Sequence, residues 1–74
     1  MSDYEKICGI VGNIIGVPAE TIAKDPKRFE SSIGSLDLTE IILEVEEEFD
    51  LIVENEDQIR SIHDILQRVE AQIA

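Results

Sequence analysis

Apolar residues recur every third or fourth position in three segments of this 74-residue chain, and this spacing limits the fold more than any other feature. Such a period is typical of helices that bury one face and expose the other. The segments run from about Asp3 to Ile15, from about Leu36 to Phe49, and from Ile62 to Ile73. Ser2 or Asp3 can cap the first helix, Gly16 suits its end, and Ser61 can cap the last. The apolar stripes are Tyr4, Ile7, Cys8, Val11, Ile14 and Ile15; Leu38, Ile42, Val45 and Phe49, flanked by Ile41; and Ile62, Ile65, Leu66, Val69 and Ile73.

The segments between these helices predict connections. Val17 to Gly34 contains Pro18 and Pro26, which argue against a regular element along its whole length, although residues 19–22 could form one helical turn. Residues 51–53 are apolar but have no partner strand, so we expect a buried connector there, followed by a short helix over 54–59. The prediction is an all-α fold: a small four-helix bundle of three longer helices and one short helix, with a long loop between the first two. We expect one domain over residues 1–74.

Charge narrows the range of partners. The chain has 17 acidic and 6 basic residues and a formal net charge of -11. It should repel nucleic acid and anionic membrane surfaces and attract proteins with basic patches. The single cysteine, Cys8, suits a reducing compartment, and no apolar run approaches membrane length. We therefore expect a cytoplasmic monomer that binds neither nucleic acid nor membrane.

The sequence contains little of the chemistry that enzymes use. Cys8 lies among apolar residues of the first helix, and His63 belongs to the last, so a thiol–imidazole pair is not expected. No calcium-loop pattern and no zinc-type cysteine spacing occurs. We expect a protein that is not an enzyme and has no metal site.

Ser35 stands where a loop ends and the second helix begins. A serine in this position often caps the helix by accepting an amide hydrogen bond. A helix N-terminus also favours phosphate, through its free N–H groups and its dipole. Ser35 is therefore either a simple cap or an attachment point for a phosphate ester, and the local pattern alone favours the cap.

The wider pattern resembles the acyl carrier protein family. The matching residues are Ser35-Leu36-Asp37, then Glu40, then the acidic run 46–50 that contains Phe49; Gly16-Val17, Phe29 and residues 59–62 match other family positions. The resemblance implies that Ser35 carries a covalent 4′-phosphopantetheine arm, whose thiol holds acyl groups as thioesters. Gly34 replaces the aspartate common in the fatty-acid type, and the preceding loop is short, which bears on which modifying enzyme recognises the chain.

The second helix also predicts a docking surface. Leu36 and Leu43 form a narrow apolar stripe away from the main core face, beside a side rich in acidic residues. The alternative is that the long loop covers both leucines. The resemblance implies that the partners are a phosphopantetheinyl transferase and acyl-transferring or acyl-synthesising enzymes with basic patches. The predicted docking residues are Leu36, Asp37, Glu40, Leu43, Glu46 and Glu47.

Two other functions fit parts of the sequence. An unmodified acidic helical adaptor that binds a basic partner surface would explain the charge and the helices, but not the position of Ser35. A small hydrolase that uses Ser35 as its nucleophile lacks a neighbouring base in the sequence.

Overall fold

The computed structural model describes residues 2–73, and Met1 and Ala74 lie outside this range. The described part contains helices and no strand, which confirms the predicted all-α bundle with three longer helices. No helix within it is both long enough and apolar enough to span a membrane. The elements are α1 (Asp3–Ile15), α2 (Ala19–Lys24), α3 (Pro26–Glu30), α4 (Ser35–Phe49), a single 3₁₀ turn (Glu56–Gln58) and α5 (Ile62–Ile73).

Short hydrogen-bonded motifs define the ends of α1. The Ser2 hydroxyl accepts the Glu5 N–H at 3.1 Å, and the Ser2 N–H donates to the Glu5 carboxylate at 3.3 Å. The second bond favours the ionised carboxylate and so lowers the pKa of Glu5. At the other end Gly16 has a φ of 78°, a left-handed conformation that suits glycine. The predicted bounds and caps of α1 are confirmed.

The connection between α1 and α4 is more regular than the sequence predicts. It holds two short helices, α2 and α3, where a long loop is expected. Pro18 is the N-cap of α2 and Pro26 is the first residue of α3, so each proline begins a helix. Proline suits this place because its φ is already near the helical value and it needs no amide partner. The fully buried side chain of Ile22 holds α2 in the core.

The core lies between α1, α4 and α5, with α2 packed against α1. It contains no buried polar or charged residue among those described. Ile41, which the sequence places beside the α4 stripe, is fully buried, whereas Leu38 and Phe49 are half-buried. The buried residues are Ile7, Cys8, Val11, Ile22, Ile41, Ile42, Val45, Val53, Ile59, Ile62, Ile65 and Val69.

The connector between α4 and α5 differs from the prediction in two respects. Val53 is buried and Leu51 half-buried, but Ile52 is 70% exposed. Successive side chains of a non-helical chain point in different directions, so all three residues cannot face the core. The predicted short helix over 54–59 is reduced to the 3₁₀ turn, which follows Asn55 in a left-handed conformation with a φ of 56°. The Ser61 hydroxyl then caps α5 by accepting the Asp64 N–H at 3.0 Å.

Candidate functional site

Ser35 is the first residue of α4, and the N-cap of that helix is Gly34. The alternative in which Ser35 is a simple cap is therefore wrong by one residue. Gly34 has a φ of -76° and a ψ of 172°, an extended backbone, so the positive φ that glycine permits is not used. The Gly34 N–H donates to Asp37 Oδ2 at 3.4 Å, and the Thr39 hydroxyl donates to the Ser35 carbonyl at 3.1 Å. These contacts leave the Ser35 side chain exposed at the surface.

The start of α4 provides a favourable setting for a phosphate group on Ser35. The first hydrogen bond of the helix runs from the Leu38 N–H to the Gly34 carbonyl at 2.9 Å. The amides before it have no partner within the helix and carry the positive end of the helix dipole. An anion attached to Ser35 would lie next to these amides.

A small cavity of about 180 Å³ opens beside Ser35. Leu38, Thr39 and Ile42 of α4 line one side of it. Glu56 and Asp57 of the 3₁₀ turn line the other. These two acidic residues are absent from the predicted site, because no local sequence pattern links the turn to a serine some 20 residues earlier.

A second cavity lies on the far side of Leu38. It measures about 250 Å³ and is lined mainly by apolar residues, including Ile33, Ile59 and Ile65. Leu38 lines both cavities and is half-buried. The cavity beside Ser35 and this second, mainly apolar cavity are therefore neighbours that share one side chain.

The predicted docking residues differ in their surroundings. Leu36 is 82% exposed and Leu43 is 57% exposed, so the alternative that the long connection covers them is wrong. Glu40 and Glu47 are exposed as well. Asp37 is half-buried and accepts the Gly34 N–H.

Glu46 has a structural contact within the chain. It is half-buried, and its Oε2 accepts the Val53 N–H at 2.8 Å. This bond ties the end of α4 to the following connector. The carboxylate of Glu46 is therefore less available to a partner than the carboxylates of Glu40 and Glu47.

The cysteine and the histidine lie apart from Ser35. Cys8 is fully buried in the core, and burial raises the pKa of its thiol, whereas His63 is exposed on α5. A cavity of about 490 Å³ between α1 and α2 is lined in part by Cys8 and shares no residue with the cavity beside Ser35. Within residues 2–73, no group of three or more His, Cys, Asp or Glu side chains could hold a metal ion.

Comparisons of the whole chain with protein families and with known proteins point to the same family. Residues 5–69 match the family described as phosphopantetheine attachment site. The chain is 39% identical to an acyl carrier protein of Solidesulfovibrio magneticus, over 95% of this chain and 94% of that protein. It is 31% identical to an acyl carrier protein of Streptococcus thermophilus, over 95% of both chains. No solved structure matches it significantly. The chain therefore belongs to the acyl carrier protein family, as a carrier that bears 4′-phosphopantetheine and is not itself an enzyme.

Proposed function

We propose that Ser35 is the residue that carries 4′-phosphopantetheine, through a phosphodiester, and that the thiol of this arm holds acyl intermediates as thioesters. One observation carries the proposal: the exposed first residue of α4 is Ser35, the serine of a Ser-Leu-Asp motif that matches the family. The protein then presents its cargo to other enzymes. The arm supplies the reactive thiol, so the buried Cys8 has no part in this chemistry.

Electrostatics support a particular placement of the phosphodiester. The free amides of α4 attract its negative charge, whereas Glu56 and Asp57 across the small cavity repel it. We therefore expect the phosphate to sit over the N-terminus of α4 and not within the cavity. From this position the arm can reach either the solvent or the apolar space near Leu38.

We further propose that α4 forms the surface that partner enzymes meet. The exposed Leu36 and Leu43 lie beside the exposed carboxylates of Glu40 and Glu47, and Asp37 is in the first turn of the same helix as Ser35. This arrangement suits a phosphopantetheinyl transferase and acyl-handling enzymes that present basic patches around an apolar contact. Glu46 belongs to this surface only at its edge, because it bonds the Val53 amide.

We also propose that the protein is a cytoplasmic monomer with a single carrier domain. Its relatives are bacterial acyl carrier proteins and its only cysteine is unpaired, which together support a cytoplasmic location. A net charge of -11 makes self-association unfavourable and supports a monomer. The family match over residues 5–69 supports one carrier domain along the chain.

The test of the attachment site is intact-mass measurement after co-expression with a phosphopantetheinyl transferase. Wild-type protein should gain the mass of the arm, and Ser35→Ala should not. Ser31→Ala and Ser32→Ala are matched controls, since both serines are exposed just before α4 and should still be modified. An arm on Ser35→Ala would move the site to one of these two serines. An unmodified adaptor would show no gain of mass in any variant.

A further inference from the structure

The 3₁₀ turn beside Ser35 lies in a strongly acidic connector. Asp50, Glu54, Glu56 and Asp57 lie within eight residues, and Glu56 and Asp57 line the cavity that contains Ser35. Inside the turn, the Gln58 N–H donates to the Asn55 carbonyl at 2.9 Å and the Ile59 N–H to the Glu56 carbonyl at 3.1 Å. Two such bonds do not stabilise a short turn on their own, and the repulsion between its carboxylates opposes it. The burial of Ile59 anchors the end of the turn in the core, and further contacts from outside hold the exposed residues before it.

Two arginines provide these contacts: one reaches both sides of the turn, and the other reaches its middle residue. Arg68 of α5 donates to the Glu54 carbonyl, and its second terminal nitrogen lies 3.4 Å from the Gln58 side-chain oxygen. Arg60, just after the turn, donates to the Asp57 carbonyl. The planar guanidinium of arginine has several fixed donors and can bind two acceptors at once. Two of the chain's 6 basic residues thus bond the backbone of the turn and its flanking residues.

We propose that Arg60 and Arg68 are positioning residues for the Ser35 site. Neither lines the cavity beside Ser35. They act through the turn, by holding Glu56 and Asp57 against the start of α4. In this way they set the shape and charge of the surface that the modifying enzyme meets next to the serine. The inference rests on the proposed function of Ser35 as the attachment site.

The choice of arginine at these positions has a physical reason. A neutral donor could bond the same carbonyls but would leave the charges of Glu54, Glu56 and Asp57 uncompensated. A lysine would supply the positive charge, but its ammonium group is a single compact donor and lacks the fixed, planar set of donors that the guanidinium has. Loss of either arginine should leave the bundle folded, because the bonds lie at the surface and not in the core. The predicted effect is a looser turn and a less well-defined docking surface.

The test compares Arg68→Gln and Arg60→Gln with the control Arg28→Gln, in the full chain. All three remove one positive charge, but Arg28 lies on α3, outside the connector. Amide hydrogen exchange at Gln58 and Ile59 reports on the turn, and exchange at Val69 reports on α5. Arg68→Gln and Arg60→Gln should each speed exchange in the turn by about tenfold, the lower end of what the loss of one charged hydrogen bond causes, and leave α5 unchanged. Arg28→Gln should alter neither.

Steady-state kinetics of arm transfer by a phosphopantetheinyl transferase provide the second measurement. Arg68→Gln and Arg60→Gln should each raise KM by about fivefold and leave kcat within about twofold, because binding and not chemistry depends on the turn. Arg68→Lys should fall between Arg68→Gln and wild type. A general loss of stability would instead speed exchange in α5 as well.

The two measurements together decide the proposal. Faster exchange confined to the turn, together with the rise in KM, supports it. Either change without the other, or kinetics equal to those of Arg28→Gln, would overturn it. Failure of the proposed function is recognised separately, because the arm would then appear on Ser35→Ala or on no variant at all.

Discussion

Three serines stand at helix starts in this protein, and they differ in what their hydroxyls do. Ser2 and Ser61 are N-caps, and each accepts a backbone amide three residues later, at 3.1 Å and 3.0 Å. Ser35 lies one residue further into its helix, and Gly34 occupies the cap position. Its hydroxyl therefore has no capping role and remains at the surface. A side chain in this setting can carry an ester without loss of a structural hydrogen bond.

This difference predicts unequal effects on stability. Ser2→Ala should lower the free energy of unfolding by about 1 kcal/mol, which is typical for a lost N-cap. Ser35→Ala should change it by no more than about 0.5 kcal/mol, as for an ordinary surface substitution. Urea unfolding followed by circular dichroism measures both, and Ser61→Ala is a second capping control. A loss for Ser35→Ala as large as for Ser2→Ala would show that Ser35 caps α4 in solution.

At the scale of single elements, the interior glycines of α1 have opposite surroundings. A Cβ on Gly12 would lie 2.2 Å from the Val17 carbonyl oxygen, where the chain turns from α1 towards α2. The Val17 N–H also donates to the Gly12 carbonyl at 3.0 Å. A Cβ on Gly9 would meet no atom within 4 Å. The sequence shows Gly12 only as a residue that weakens the helix, whereas the structure shows that the close approach of the backbone requires it.

These two glycines form a matched pair for mutation. Gly9→Ala should raise the free energy of unfolding by about 0.5 to 1 kcal/mol, because alanine favours helix more than glycine. Gly12→Ala should lower it, by about 1 to 3 kcal/mol as for an overpacked site, since backbone must move to admit the methyl group. Thermal melts of both variants measure the difference. A gain in stability for Gly12→Ala would mean that the turn after α1 relaxes without cost.

Helix α4 has a buried side and an exposed side, and the exposed side predicts how partners associate. Reversal of Glu40 and Glu47 to lysine should slow modification of Ser35 at low salt, mainly by slowing encounter with a basic partner. Each exposed ion pair contributes under about 1 kcal/mol, so the effect should fade at high salt. Stopped-flow or initial-rate measurements across a salt series test this. Leu43→Ser should weaken the complex with little change in its salt dependence.

The control for this experiment is the pair Glu20→Lys and Glu70→Lys. Both residues are exposed, on α2 and α5, and the double variant changes the net charge by the same amount. It should be modified faster than the α4 variant at low salt. Equal rates for the two double variants would show that net charge matters and the α4 surface does not.

At the scale of the whole molecule, the charge is poorly balanced. No charged residue is buried in the described part, so its acidic groups share the surface. Several of the 6 basic residues contact groups other than carboxylates. Lys6 and Arg28 lie 5.7 Å from the ring centres of Phe49 and Phe29, and Arg60 donates to a backbone carbonyl. Repulsion between carboxylates therefore opposes folding across the molecule.

Added salt should raise the melting temperature. Ions screen the repulsion between surface carboxylates, with a screening length of about 30 Å at 0.01 M and about 8 Å at 0.15 M salt. Thermal melts at these two ionic strengths test the expectation, and the Glu20→Lys, Glu70→Lys double variant should gain less from salt. A midpoint that stays constant would mean that repulsion does not limit stability.

The sequence by itself determined the three long helices, the caps of the first and the last, and the motif around Ser35. These features are local: the apolar period sets the helices, and Ser2, Gly16 and Ser61 act on residues three or four positions away. The exposure of Leu36 follows from the same period, because the residue lies away from the buried stripe of α4. Membership of the family rests on such residues too.

Only the tertiary structure decided what distant residues do together. The short helices α2 and α3 depend on packing against the rest of the molecule, where Ile22 is buried in the core. The prolines in this segment of the sequence do not reveal that packing. The Val53 N–H donates to the carboxylate of Glu46, which makes this group less available to a partner although the sequence assigns it to docking. Glu56 and Asp57 reach Ser35 because the connector folds back over the start of α4. Their placement results from contacts between separate helices, and hydrophobic periodicity describes only one helix at a time.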